Sequence, residues 1–209
     1  MYKRIPEETI IRLSYYLRAV CYFAEDQKEF VSSHDLADYL KLSAHQVRKD
    51  LSYFGHFGRK GMGYPVKVLS GKLNEILGLD RQWNACIVGF GNLAKALSSY
   101  EGFKTQGIFI TTAFDVDRTK TNRRFGNVKV YATQAMERMI KKNKIGIGII
   151  AVPQDVAQEV AEKLVSAGVK AILNFAPIKL NLSSRIVIKN IDLSCQLAFL
   201  THRLKKLQV

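Results

Sequence analysis

Apolar residues recur every three or four positions near the start of the chain. Ile10, Leu13, Leu17 and Val20 share one face of a helix expected over residues 7–24, beginning near Pro6, a residue suited to a first helical turn. Ser32 can cap a second, short helix to Leu40 with Leu36, Ala37 and Leu40 inward. Lys41-Leu42-Ser43 then turns, and Ser43 can cap a third helix, Ala44 to Phe54. A longer helix followed by two short ones across a tight turn predicts a helix-turn-helix. From residue 85 the pattern changes. Strand-like runs at 85–88, 108–115, near 128–131, 146–152, 169–173 and 186–190 alternate with helical patterns near 91–100, 133–142 and 154–167. That alternation predicts an α/β fold with a doubly wound parallel sheet. Between the two patterns, Leu79–Trp83 reads as a linker. Last, Leu193, Leu197, Leu200, Leu204 and Leu207 form an apolar stripe that needs a partner surface, either on its own domain or on another chain. The expected divisions are residues 1–80, 81–191 and 192–209.

The third helix separates cleanly by angle at about 100° per residue. Ala44, Val47, Leu51 and Phe54 face a core, whereas His45, Gln46, Lys49, Ser52 and Tyr53 face outward. Arg48 lies on one flank and Asp50 on the other. The outward set holds a long cation, an imidazole, an amide, a hydroxyl and an aromatic, types that contact bases and phosphates. His56 to Leu69 reads as a β-hairpin with Arg59-Lys60-Gly61 at its tip, which completes a winged helix; a cation there suits a narrow minor groove. Ser43 and Tyr64 complete the candidate DNA-contacting residues.

In the second half, Asn84 to Tyr100 carries a short apolar run, Gly89-Phe90-Gly91, and a helix-forming segment. This is the strand–turn–helix start of a dinucleotide-binding unit. Gly89 permits the turn, Gly91 lets backbone approach a pyrophosphate, and Ala94 stands where a third small residue allows close packing. Asn92 and Leu93 open the helix, whose free N–H groups suit phosphate. Asp115, 24 residues after Gly91, and Asp117 are placed to meet ribose hydroxyls. The cleft is expected at the carboxyl ends of the strands, reaching Ala151, Val152 and Pro153.

The formal net charge of +14 points to a polyanion, but its distribution does not single out the helix-turn-helix. Residues 1–80 hold 12 Lys/Arg against 10 Asp/Glu; residues 81–209 hold 20 against 8. Local pattern is more telling, with six cations against one Asp from Lys41 to Lys67. Cys21, Cys86 and Cys195 lie far apart in apolar surroundings. They read as buried thiols of a cytosolic protein, neither a disulfide framework nor a metal site. No apolar run approaches the ~20 residues of a membrane span, and no export signal is evident.

Ser43-Ala-His-Gln-Val-Arg-Lys-Asp-Leu-Ser-Tyr-Phe-Gly55, Gly61-Met-Gly-Tyr64, Ile76-Leu-Gly-Leu79, Phe114-Asp-Val-Asp117 and Asn174-Phe-Ala-Pro177 resemble the Rex family of redox-sensing transcriptional repressors, over residues 5–204. The resemblance implies a cytoplasmic homodimer that holds a palindromic double-stranded DNA operator and releases it when NADH rather than NAD⁺ fills the Rossmann domain. It implies that the last helix is swapped between subunits. It casts Lys49 as base reader, Arg48 as phosphate contact, and Arg18, Tyr100 and Asp192 as a polar switch, although Arg18 could equally be a surface cation. Two positions depart from the family: Lys60 where Arg is common, and Arg118 where Pro is common. The cluster Arg118, Lys120, Arg123 and Arg124 leaves a phosphorylated ribose, as in NADP or coenzyme A, as an alternative. An oxidoreductase is disfavoured, because three of the four histidines fall in the winged helix and Tyr100-x-x-x-Lys104 lies on the wrong helix for catalysis.

Overall fold

The computed structural model describes residues 5–59 and 61–207, which divide into a unit ending at Arg81 and a unit beginning at Gln82. Unit 1 contains α1 (Glu7–Glu25), β1 (Phe30–Val31), α2 (Ser33–Leu40), α3 (Ala44–Ser52), β2 (Tyr64–Pro65) and α4 (Val66–Leu77). Leu13, Leu17, Val20, Leu36, Val47, Leu51, Leu69 and Leu73 close its core. Ser32 forms a reciprocal capping box with Asp35, and Ser43 accepts from the Gln46 amide, so both short helices start where their caps dictate.

Two expectations fail in this unit. Val66–Leu69 is the first turn of α4, not the returning arm of a hairpin. The run Val-Lys-Val-Leu alternates like a strand, but Val66, Leu69 and Leu73 are the buried positions, and that spacing is helical. What remains of the wing is one bridge, Arg59 to Gly63, and the antiparallel pair of β2 with β1. On α1, Ile10 turns outward, and Thr9 and Tyr16 are buried instead, where Asp50 of α3 docks.

Unit 2 runs β3 (Trp83–Val88), α5 (Asn92–Ser98), α6 (Glu101–Thr105), β4 (Ile108–Asp115), β5 (Arg124–Phe125), β6 (Val128–Ala132), α7 (Met136–Lys142), β7 (Ile147–Ile150), α8 (Gln154–Ser166), β8 (Ala171–Asn174), β9 (Val187–Asn190) and α9 (Leu193–Leu207). The sheet order is β5-β6-β4-β3-β7-β8-β9. All pairs are parallel except β5 with β6, an antiparallel edge that the sequence reading missed. Along β3 the side chains alternate between two cores. Cys86 and Val88 join Met136, Met139, Ala157 and Leu164 from α7 and α8, whereas Ala85 and Ile87 join Phe90, Ala94 and Val130 on the α5 side. Each large aliphatic side chain so buried contributes about 1.5–3 kcal/mol of transfer free energy.

Cysteine placement also departs from expectation. Cys86 is buried, and burial pushes its thiol up to about 12, but Cys21 and Cys195 are exposed. No helix among the described residues is long and apolar enough to cross a membrane.

Candidate nucleic-acid interface and nucleotide cleft

In unit 1, α2 and α3 form the helix-turn-helix, and Lys41 makes the turn in a left-handed conformation at φ 55°. His45, Lys49 and Ser52 are exposed along the outer face of α3, as their angular positions require. Arg48 Nη1 donates to Ser33 Oγ at 2.7 Å, which ties this flanking cation to the start of α2. A cleft of about 700 Å³ opens beside α3, lined among others by Arg48, Ser52, His56, Arg59 and Tyr64. Arg59 therefore faces the same opening as Arg48. Tyr53 ends α3 half-buried. Tyr64 is half-buried on β2, and burial raises its hydroxyl above the ordinary phenol range. Lys60 lies outside the described residues.

Gln46 is placed differently from the expectation. Its Nε2 donates to Asp50 Oδ1 at 2.8 Å, so the amide turns toward the buried carboxylate rather than outward. Asp50, expected on a flank, is 1% exposed. Burial disfavours its charge, but hydrogen bonds from Arg12, Tyr16 and Gln46 outweigh that and hold it below the usual carboxylate range.

In unit 2, the winding of the sheet reverses between β3 and β7, and open α/β sheets bind ligands at that point. A cleft of about 520 Å³ lies there. Of the expected nucleotide residues, Gly89, Gly91, Asp115, Ala151, Val152 and Pro153 line it. Gly89 has φ +86°, and a Cβ on it would lie 2.5 Å from the Ala151 carbonyl oxygen, so β3 and β7 can close together only over glycine. At Gly91 an added Cβ would meet no protein atom within 4 Å; the missing side chain leaves open space on the cleft wall. The first turn of α5 has no side-chain cap, so its amides are available to an anion. A glycine-bordered wall beside free amides fits a pyrophosphate.

Asn92, Leu93, Ala94 and Asp117 do not line the cleft. Asn92 and Leu93 are exposed on α5, and Ala94 is fully buried against the sheet. Asp115 is nearly buried and braces the turn: its carboxylate accepts from the Phe90 amide at 2.7 Å and the Asp117 amide at 2.8 Å. Lys120 Nζ sits 3.3 Å from Asp115 and 3.5 Å from Asp117, and the bond to Asp115 raises its pKa. Lys120 is thus held by the two acids, not left free for a phosphate. Thr119 donates to Asp117 and keeps that carboxyl below its ordinary range. The sequence reading missed the far wall, where Val156, Glu159, Val160 and Lys163 of α8 face Val116 and Met136. Their three- and four-residue spacing was the available signal, but it also fits a surface helix face. No metal-ligand cluster occurs among the described residues.

Tyr100 is 60% exposed, with its ring edge against Phe103. Asp192 accepts from the amides of Ser194 and Cys195 at the start of α9. The two do not hydrogen-bond to each other, and Arg18 is exposed on α1 of the other unit.

Residues 4–52 match a family model described as a putative DNA-binding protein N-terminus, and residues 80–178 match one described as a CoA binding domain. Redox-sensing transcriptional repressor Rex of Desulfitobacterium hafniense is 47% identical over 95% of this chain and 94% of its own. The corresponding Rex of Carboxydothermus hydrogenoformans is 43% identical over 97% and 98%. The chain belongs to the Rex family of redox-sensing transcriptional repressors. Among solved structures, RSP in complex with β-NAD⁺ and operator DNA superimposes with a TM-score of 0.92 at 36% identity, covering 99% of this chain and 95% of RSP. RSP in complex with β-NADH gives 0.88 at 34% identity, covering 99% and 97%. These Rex relatives are named as repressors, which places the chain with regulators rather than enzymes.

Proposed function

We propose that this chain is a cytoplasmic, homodimeric repressor that holds a two-fold-symmetric DNA operator and releases it when NADH occupies the cleft at Gly89–Gly91. One observation carries the reading: a single chain joins an outward cationic face on α3 to a glycine-bordered cleft at a sheet switch point. RSP, a Rex-family relative, takes up both NAD⁺ and operator DNA, which supports both halves. Lys49 and His45 read bases, while Ser43, Arg48, Ser52, Tyr53, Arg59, Lys60 and Tyr64 contact or support contacts to the backbone. Gly89, Gly91 and the first turn of α5 at Asn92–Ala94 hold the pyrophosphate. Asp115 meets the ribose, Asp117 supports it from beyond the cleft lining, and Ala151–Pro153 close the other side.

Two exposed apolar stripes support the dimer. Leu193, Leu197, Leu200, Leu204 and Leu207 of α9 are each more than half exposed. On α1, Ile11, Tyr15, Arg18 and Tyr22 follow one another at four-, three- and four-residue steps, and the three apolar members are exposed. A second copy covers α9 by exchanging it across the two-fold axis, which places Asp192 to trade between partners such as Tyr100 and Arg18. NADH must favour the arrangement that is out of register with DNA, since a ligand shifts an equilibrium only by its differential affinity.

The family model for a CoA binding domain gives coenzyme A a place in the test. Fluorescence anisotropy of a labelled operator, titrated separately with NADH, NAD⁺, NADPH and coenzyme A, decides the reading. Release is expected with NADH alone among the four. Release by coenzyme A but not NADH would overturn the nucleotide assignment, and failure to bind any duplex would overturn the repressor reading.

A further inference from the structure

Donors from four residues converge on one buried carboxylate between α1 and α3. Asp50 accepts from Thr9 Oγ1 at 3.2 Å, Arg12 Nε at 2.6 Å, Arg12 Nη2 at 2.9 Å, Tyr16 OH at 2.7 Å and Gln46 Nε2 at 2.8 Å. Thr9, Arg12 and Tyr16 belong to α1; Gln46 lies one turn before Asp50 on α3 itself. An ion pair is a costly way to join two helices, because an apolar pair of similar volume often holds them as well or better. A leucine, however, fixes distance and leaves rotation loose. The two-pronged contact of Arg12 with both carboxylate oxygens also fixes orientation. Lys49 is the next position around the helix, about 100° away. Locking Asp50 therefore locks the direction in which Lys49 leaves α3.

We infer that Asp50, clamped by Thr9, Arg12 and Tyr16, is a positioning residue that sets the rotation at which α3 presents Lys49 and His45 to base edges, and that Gln46 completes this clamp instead of reading a base. The inference rests on the DNA-binding reading above. Base-edge hydrogen bonds depend on angle and tenths of an ångström, whereas a cation near a phosphate tolerates a shift of that size. Loosening the clamp should therefore erode sequence discrimination before it erodes affinity for arbitrary duplex. Gln46 gives the sharper contrast. An amide reading adenine would, on truncation, lose preference at one base pair. An amide bracing Asp50 would lose affinity without changing which base is preferred anywhere.

The experiment uses the full chain and a duplex that it selects from a random pool, compared with an unselected duplex at one salt concentration. Tyr16→Phe keeps the ring and removes one donor to Asp50, so it avoids the unpaired arginine that Asp50→Asn would leave. Tyr16→Phe should weaken the selected duplex roughly 5- to 10-fold and leave the unselected one within about twofold, in line with the net worth of one ordinary hydrogen bond. Gln46→Ala should lower selected-duplex affinity with the same preferred base at every position of a singly substituted series. Tyr16 is buried with its hydroxyl on Asp50 whereas Lys49 is exposed, so independent effects of Tyr16→Phe and Lys49→Ala would multiply; the clamp predicts a double-variant loss smaller than the product. Equal losses on both duplexes, a preference erased at one base pair by Gln46→Ala, or multiplying losses would each overturn the inference. A parent chain that selects no duplex would overturn the DNA-binding reading and this inference with it.

Discussion

Lys49 points from the middle of the outer face of α3, with no acid near enough to pair with it among the described residues. On the DNA-binding reading proposed above, that ammonium finds its partner in the duplex. Lys49→Ala is expected to cost about 1–3 kcal/mol on the operator and to relax base preference, with NADH affinity unchanged. Anisotropy on specific and random duplexes checks this; equal losses on both would demote Lys49 to a phosphate contact. In the cleft, Asp115 bonds the amides of Phe90 and Asp117, so its removal both loosens the glycine turn and exposes Lys120. Asp115→Ala should weaken NADH more than Asp117→Ala does and leave DNA binding intact, giving a repressor insensitive to NADH. Calorimetry with NADH on both variants gives the order, and a larger loss for Asp117→Ala would make the second aspartate the ribose acid.

The Asp50 clamp also has a pH signature. Burial opposes its charge, yet the bonds from Arg12, Tyr16 and Gln46 keep its folded-state pKa below the unfolded value of about 3.9. A depressed carboxylate contributes stability that is complete above the unfolded value and lost as pH falls through the folded one. Thermal melts from pH 7 to pH 2 should show the parent losing more stability below about pH 4 than Asp50→Asn. Parallel curves would mean that the clamp carries no proton linkage.

At the scale of elements, α9 invites the most direct intervention. Its leucines would each bury about 1.5–3 kcal/mol of transfer free energy in an interface, before the entropy of ordering is subtracted. Ending the chain at Ile191 is expected to leave a largely monomeric protein that binds a half-site weakly and ignores NADH, because linked engagement of two half-sites is worth roughly 10²–10⁴ in affinity. Light scattering and operator-shift assays measure both. A truncated chain that stays dimeric and still responds would remove α9 from the switch. The same elements show what was legible in the sequence. The central strands and α8 were plain, because buried parallel strands and amphipathic helices leave strong periods. α4 was not, since Val66-Lys67-Val68 satisfies the period of a strand locally, and only Leu69 and Leu73, packed in the core of unit 1, reveal the helix. β5 is two residues long and both are exposed, which leaves no pattern to read. In the clefts, the glycine turn and Asp115 announced themselves by spacing. Gln46 misled because angle alone placed it outward, whereas a carboxylate one turn later drew it in.

For the whole molecule, each unit closes a core of its own. The units nevertheless assemble themselves by different routes. In unit 1, α2 and α3 neighbour each other in sequence, and helix α1 packs against helix α4 after the 40 residues between Glu25 and Val66. In unit 2, the sheet centre forms only when β3 finds β7, pairing Val88 with Ile150. Parallel pairing of strands distant in sequence is slower than helix packing, because no local contact rewards it early. Refolding from denaturant should therefore proceed in two phases, with helical signal from the first unit arriving well before the environment of Trp83, at the start of β3, becomes native. A newly made chain would own a finished DNA-reading head while its nucleotide sensor was still taking shape.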